Sequence, residues 1–140
     1  MSYTGRCACG HVTLAIAGEA IQTRQCWCGQ CQRIAGGGPT HNVIFRDEQI
    51  TLVGRLASHG YVAASGSTMV TWYCPACGSP LCAQSTARPQ FRAVRLGALD
   101  TPHGLAPQLA IWTDEAPDWA VIDPALERHR QQPSTAIATD

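Results

Sequence analysis

The stretch Cys74-Pro75-Ala76-Cys77-Gly78 decides the fold. Two sulfurs separated by two residues can chelate one cation when the loop between them folds back. A glycine directly after them takes backbone angles that turn amides toward the sulfurs. Cys7-Ala8-Cys9-Gly10 carries the same trailing glycine. Neither pair fills a tetrahedral shell alone, so each needs two more ligands. Joining the pairs gives a four-cysteine zinc site that ties the beginning of the chain to its middle. The competing readings are four buried free cysteines and, for Cys74 and Cys77, a thioredoxin-type redox pair. The redox motif belongs at a strand-to-helix turn of a βαβ unit, whereas strand and turn signals flank Cys74.

Working outward, Cys26-Trp27-Cys28-Gly29-Gln30-Cys31 places three sulfurs within six residues and has no glycine after the last. Gln32-Arg33-Ile34-Ala35 continue as helix instead. Three protein ligands with a free fourth position make the arrangement of a catalytic zinc, where water or a substrate atom binds. A helix starting near Cys28 also favours thiolate through its dipole. A fourth ligand, either His41 or Cys82 folded back, would close the site and make it structural; loss of metal with reversible oxidation is a further reading. His41 is the histidine nearest the cluster and is the candidate acid–base group or fourth ligand. Arg33 and Arg46 follow the cluster closely and are candidates for gripping substrate carboxylates, against a reading as solvated surface arginines. Trp27, Trp112 and Trp119 fit either a pocket lining or ordinary core aromatics. Gly36-Gly37-Gly38 lacks the Lys-Ser/Thr pair of a phosphate loop and reads as a turn.

The remaining sequence reads as mainly β. Val12, Leu14 and Ile16 alternate with smaller or polar residues, the period-two pattern of a half-buried strand. Further strands are expected at 42–45, 50–53, 69–73, 91–96 and 109–112. Asp47-Glu48-Gln49 and Ser65-Gly66-Ser67 read as hairpin connections. A short helix is expected over 28–35, ended by the three glycines. Asp123-Pro124 reads as the cap and first turn of a second helix over 124–130. The expected organisation is one zinc-binding domain over 1–130 and a polar tail over 131–140.

With 140 residues, the chain is one domain by length. Ten acids balance ten bases, all of them arginine. The absence of lysine removes Schiff-base chemistry, and the neutral balance argues against nucleic acid as a partner. Seven metal-bound thiolates would make the protein more acidic still. No apolar leader stands at the N-terminus, and no run approaches the roughly 20 apolar residues that span a bilayer. Eight cysteines without an export signal favour metal over disulfides, so a cytoplasmic location and no membrane partner are expected.

As an ordered set, Cys-x-Cys-Gly, Cys-x-Cys-x-x-Cys and Cys-Pro-x-Cys-Gly make this sequence resemble the glutathione-dependent formaldehyde-activating (Gfa-like) family. The likeness continues into Gly97-Ala98-Leu99-Asp100, Pro107, Ile111-Trp112 and Trp119. It implies a β-tent-like fold of small antiparallel sheets around zinc sites, with two zinc ions per chain. The structural zinc would fall on Cys7, Cys9, Cys74 and Cys77, and the second on Cys26, Cys28 and Cys31. It also implies a carbon–sulfur lyase whose small-molecule thiol partner is glutathione and whose product with formaldehyde is S-hydroxymethylglutathione. Two positions depart from the family pattern. Trp27 and Ala110 stand where members usually carry histidine, which bears on the substrate and leaves the metal frame intact. The family frame also serves binding, so a non-catalytic zinc-stabilised interaction module is the alternative.

Overall fold

A computed structural model describes residues 1–133. Among them the chain forms eleven strands and one α-helix. A three-stranded sheet is built from β1 (Ser2–Arg6), β2 (Thr13–Ala17) and β5 (Ile50–Val53), with β2 in the centre. The larger sheet holds β3 (Gln22–Cys26), β4 (Thr40–Arg46), β6 (Ala57–Val62), β7 (Thr68–Tyr73), β8 (Pro80–Ser85), β9 (Phe91–Arg95), β10 (Leu109–Ile111) and β11 (Glu127–Arg128). Its order is β11-β10-β3-β4-β9-β8-β7-β6, antiparallel except where β10 lies parallel to both β3 and β11. The mainly β architecture with little helix matches the expectation from the sequence.

The two faces of the large sheet do different work. Val43 and Phe45 of β4, Leu81 and Cys82 of β8, and Val94 of β9 pack against Tyr3, Leu14 and Ile16 of the small sheet. Tyr3 meets Phe45 edge to face, with ring centroids 5.6 Å apart. Burying a side chain of Phe45's size contributes about 1.5–3 kcal/mol, so this seam holds the sheets together. On the opposite face of β4, Asn42 and Ile44 line a cavity of about 390 Å³. The period-two alternation of a strand sends successive side chains to these two destinations.

α1 (Gly29–Ala35) follows β3, with Cys28 as its N-cap. It ends at Gly36, whose φ of 78° places it in the left-handed region. Ser65-Gly66-Ser67 does close the β6–β7 hairpin, with the Ala63 amide donating to the Ser67 carbonyl at 2.8 Å.

Asp47-Glu48-Gln49 is a correction. It forms one tight helical turn that carries the chain from β4 in one sheet to β5 in the other, so its flanking strands do not pair. The expected helix over 124–130 is a second correction. The Asp123 carboxylate caps the Ala125 amide at 2.9 Å, yet only a turn results. Glu127 and Arg128 then pair with the open edge of β10, and the His129 amide donates to the Ala110 carbonyl at 2.9 Å. Vacant ladder positions on β10 outcompeted local helix propensity. Of the expected polar tail, 134–140 lie outside the described residues. Gln131 and Gln132 accept hydrogen bonds from the Trp112 backbone and indole N–H groups at 3.4 and 3.0 Å. No helix among the described residues is long and apolar enough to cross a membrane.

Candidate metal centres

The first centre forms where the loop after β1 meets the turn between β7 and β8. The Sγ atoms of Cys7, Cys9, Cys74 and Cys77 all lie within 4.8 Å of one another. A zinc–sulfur bond of about 2.3 Å gives a tetrahedron with edges of about 3.8 Å. Cys7 and Cys9 Sγ are 3.6 Å apart, and Cys9 and Cys74 Sγ are 3.8 Å apart. These spacings fit a shared cation and are far too long for a disulfide of about 2.05 Å. All eight cysteines are free thiols. The Cys74–Cys77 turn joins two strands, so the redox-pair setting of a strand running into a helix does not occur.

The two knuckles repeat one device. Gly10 and Gly78 have φ of 78° and 77°, values at which any other residue is strained. Each glycine swings the next amide back, so His11 donates to Cys9 and Ser79 donates to Cys77. The Val12 amide reaches Cys7 Sγ at 3.2 Å and holds that thiol below its ordinary range. The Ser79 hydroxyl, 3.2 Å from Cys77 Sγ, together with the Ser79 amide pulls Cys77 down to about 5. The His11 amide lowers Cys9, but the neighbouring Cys7 sulfur outweighs it with the other thiols and leaves Cys9 at about 11. Ser79 Oγ also accepts from the Ala8 amide at 3.0 Å, so one hydroxyl ties both knuckles.

The second centre sits at the end of β3. Cys26, Cys28 and Cys31 bring their sulfurs within 4.8 Å of one another, and all three residues are buried. Cys28 Sγ accepts the Cys31 amide at 3.3 Å as it caps α1. Hydrogen bonds from the Cys26 and Cys31 thiols, joined by that amide, lower Cys28 to about 3; Cys26 and Cys31 pay by being raised. Among the described residues no fourth cysteine, histidine or carboxylate joins this group. The segment is braced from outside: the Trp27 amide donates to the Ile111 carbonyl at 3.0 Å, and Gln32 Nε2 donates to the Trp27 carbonyl at 2.7 Å. The Gly29 amide donates to Glu115 Oε1 at 3.1 Å.

The three sulfurs line the 390 Å³ cavity on the face of the sheet away from the core. Tyr61, Met69 and Trp112 line it too. Trp112 is the only non-glycine residue with positive φ among those described, at 57°, a strained geometry of the kind held at working sites. Trp27 is buried and Trp119 is 68% exposed, so only Trp112 of the three candidates faces the cavity.

Other sequence candidates fall elsewhere. His41 lies on the core-side face of β4 and lines a different cavity; its Nε2 is 3.1 Å from Gln25 Nε2. Cys82 is buried in the core between the sheets, with Arg92 Nη1 at 3.9 Å, so it does not fold back to the second centre. Arg33 donates to the Gly29 carbonyl on its own helix, and Arg46 stacks over the Phe91 ring at 5.7 Å. Neither lines the cavity. The arginines that do are Arg24, Arg88, Arg92 and Arg95. Sequence reading missed them because they lie on two strands and a loop far apart in the chain and carry no motif. The only signal was an arginine within the otherwise polar Gln22–Cys26, two residues before the first sulfur of the cluster.

The fold has counterparts among known proteins. No curated protein gives a match. Three solved chains do, among them a Rhodobacter sphaeroides protein from a structural-genomics programme. That protein shares 22% identity over 74% of this chain and 91% of its own, with a TM-score of 0.54, a likeness of fold. The family model described as glutathione-dependent formaldehyde-activating enzyme matches residues 2–115. The chain therefore belongs to the family of glutathione-dependent formaldehyde-activating enzymes.

Proposed function

We propose that this chain is a zinc-dependent carbon–sulfur lyase-type enzyme acting on a small thiol adduct, with glutathione and formaldehyde, as S-hydroxymethylglutathione, the pair its family points to. One observation carries the reading: Cys26, Cys28 and Cys31 converge on the wall of a cavity, with no fourth protein ligand among the described residues. The four-cysteine centre lies away from that cavity and serves as the structural zinc site.

In the forward direction a carbon–sulfur bond forms between the thiol sulfur and the carbonyl carbon, and the thiol proton ends on the new hydroxyl. The reverse reaction breaks the same bond, and neither direction needs an oxidant. Zinc held by Cys26, Cys28 and Cys31 would supply Lewis acidity, favouring thiolate over thiol and polarising a carbonyl oxygen. Cys28 holds both its own helix and its share of the site, so the sulfur cluster and the first turn of α1 are set together. The Thr40 hydroxyl hydrogen-bonds to Cys31 from the neighbouring strand and steadies that sulfur. Trp112 and Tyr61 line the same cavity as the sulfurs and bound the space a substrate would occupy.

The direct test is exchange spectroscopy with labelled formaldehyde and glutathione in the presence of the zinc-loaded chain. Interconversion with S-hydroxymethylglutathione should be faster than in buffer with the wild-type protein and return to the buffer rate with Cys28→Ser. Equal rates for wild-type protein and buffer would discard the proposal.

A further inference from the structure

Across three neighbouring strands, Arg24 of β3, Asn42 of β4 and Arg95 of β9 stand in one row. All three side chains line the cavity. Arg24 and Arg95 are only 9% and 7% exposed, so both cations are nearly withdrawn from water. Their hydrogen-bond partners are neutral. Arg24 donates through Nε and Nη2 to Gln22 Oε1, and Arg95 donates through Nη1 to Asn42 Oδ1. Arg95 Nε is buried with no acceptor among the described residues. Arg92, on the same strand as Arg95, also has an Nε without a hydrogen bond, but a carboxylate offsets its charge: Asp47 Oδ1 lies 2.7 Å from that Nε. Neither Arg24 nor Arg95 has such a carboxylate among the described residues.

Buried charges are retained where something pairs with them. The next row of the same sheet face is Cys26 beside Thr40, two residues further along β3 and two back along β4. Residues two apart in a strand are separated by about 6.5–7 Å, so the arginine row lies one ligand length from the sulfurs. Charge points the same way. The two guanidinium groups carry +2 with no carboxylate beside them among the described residues, so the row itself lacks an anion. A volume of about 390 Å³ lies at the small end of ligand cavities.

We infer that Arg24 and Arg95, with Asn42 between them in the row, form the carboxylate subsite of the three-cysteine cavity, which therefore selects small thiols carrying a carboxylate one strand row from the sulfur over neutral or cationic thiols. The inference rests on the reading of the second centre as an open, thiol-binding metal site. Arg24 and Arg95 bind and orient; they are positioning residues. Guanidinium matches a carboxylate through two parallel hydrogen bonds.

The test loads the full chain with cobalt in place of zinc and follows thiolate-to-cobalt absorption. It is titrated with 3-mercaptopropionate, 2-mercaptoethanol and cysteamine, which are similar in size and differ in terminal charge; propionate binding is followed separately by calorimetry. The wild-type protein should bind 3-mercaptopropionate about tenfold or more tightly than 2-mercaptoethanol, with cysteamine weakest. Asn42→Asp puts the missing carboxylate inside the row with almost no change of shape. It should erase the preference, and Arg95→Gln, if it folds, should do the same. Charge-blind thiol binding by the wild-type protein, or a preference surviving in Asn42→Asp, would overturn the subsite and leave the open metal site standing. Propionate binding that is lost in Asn42→Asp, with no thiol altering the cobalt spectrum, would sustain the subsite and overturn the open metal site. No binding of any probe would overturn both.

Discussion

The two cysteine clusters use the same ligand atom and differ in nearly everything that surrounds it. In the four-sulfur cluster, Cys7 and Cys74 are buried in the seam between the sheets while Cys9 and Cys77 are exposed. Its glycine-hinged loops aim backbone amides at the sulfurs, and the ligands come from segments about 65 residues apart. In the three-sulfur cluster every ligand is buried from bulk water, all come from one short segment, and the sulfurs face a cavity. The chain after Cys31 runs on as helix where a glycine would have closed a knuckle. A site that joins distant segments stabilises the fold. A site whose ligands are local contributes little to chain closure and is free to present its cation to a ligand.

The largest test of this contrast is one serine in each cluster. Structural zinc contributes on the order of 10–16 kcal/mol in small domains, as much as the whole stability of a typical chain at about 5–15 kcal/mol. Cys74→Ser should therefore abolish cooperative unfolding in circular dichroism. Cys28→Ser should keep the strand spectrum and lose one metal equivalent by elemental analysis. If both variants unfolded, or both stayed folded, the division of labour between the clusters would be wrong.

Smaller changes sharpen the comparison within the four-sulfur cluster. Gly78→Ala meets open space, so its cost is the left-handed backbone alone, about 1–2 kcal/mol. A melting temperature lower by roughly 2–6 °C is expected, with metal content unchanged; no shift would mean that the knuckle tolerates a relaxed backbone. Ser79→Ala acts on acid stability. Cys77 sits near 5, against 9.0 for an ordinary thiol. A depressed thiol stabilises the folded, metal-holding state above its unfolded value and loses that contribution as pH falls through the folded one. Removing the hydroxyl raises the folded value, so zinc release measured with a chromogenic chelator should move to higher pH by roughly half a unit. Release at an unchanged or lower pH would show that the amide alone holds the thiolate.

Much of this architecture was legible because its signals are local. Cysteine spacing revealed both clusters, alternation revealed β2, and apolar stretches between turn residues revealed β4, β5, β7, β9 and β10. β3 stayed hidden because Gln22-Thr23-Arg24-Gln25-Cys26 has no apolar face; its strand identity comes from pairing with β4 and β10. β1 hid for a different reason. Gly5 occupies an inward position where an added Cβ would lie 2.2 Å from the Ala98 carbonyl oxygen, so close backbone approach replaces a hydrophobic side chain. Arg24 and Arg95 become neighbours only through the register of β4, a long-range fact that no motif carries. Proximity in sequence pointed to Arg33 and Arg46, but α1 turns the first outward and the end of β4 carries the second away from the sulfurs.

His41 tests how far that register governs the chemistry. It sits one residue from both Thr40 and Asn42, yet strand alternation sends its ring to the opposite face, with Val43 and Phe45. There Gln25 links it to the frame of the cluster: Gln25 Oε1 accepts from the Trp27 indole at 2.9 Å, leaving the amide nitrogen to donate to His41 Nε2. That orientation makes Nε2 an acceptor and the ring neutral, and burial pushes its pKa down in the same direction. His41→Gln should leave cobalt absorption, thiol affinity and turnover within about twofold of wild type across pH 6–8, with a stability loss of about 1 kcal/mol from the missing hydrogen bond. A general acid–base group would instead cost about 10²–10⁴ in rate, and a fourth ligand would change the cobalt spectrum. Either result would place the ring in the cavity and break the correspondence between strand face and function.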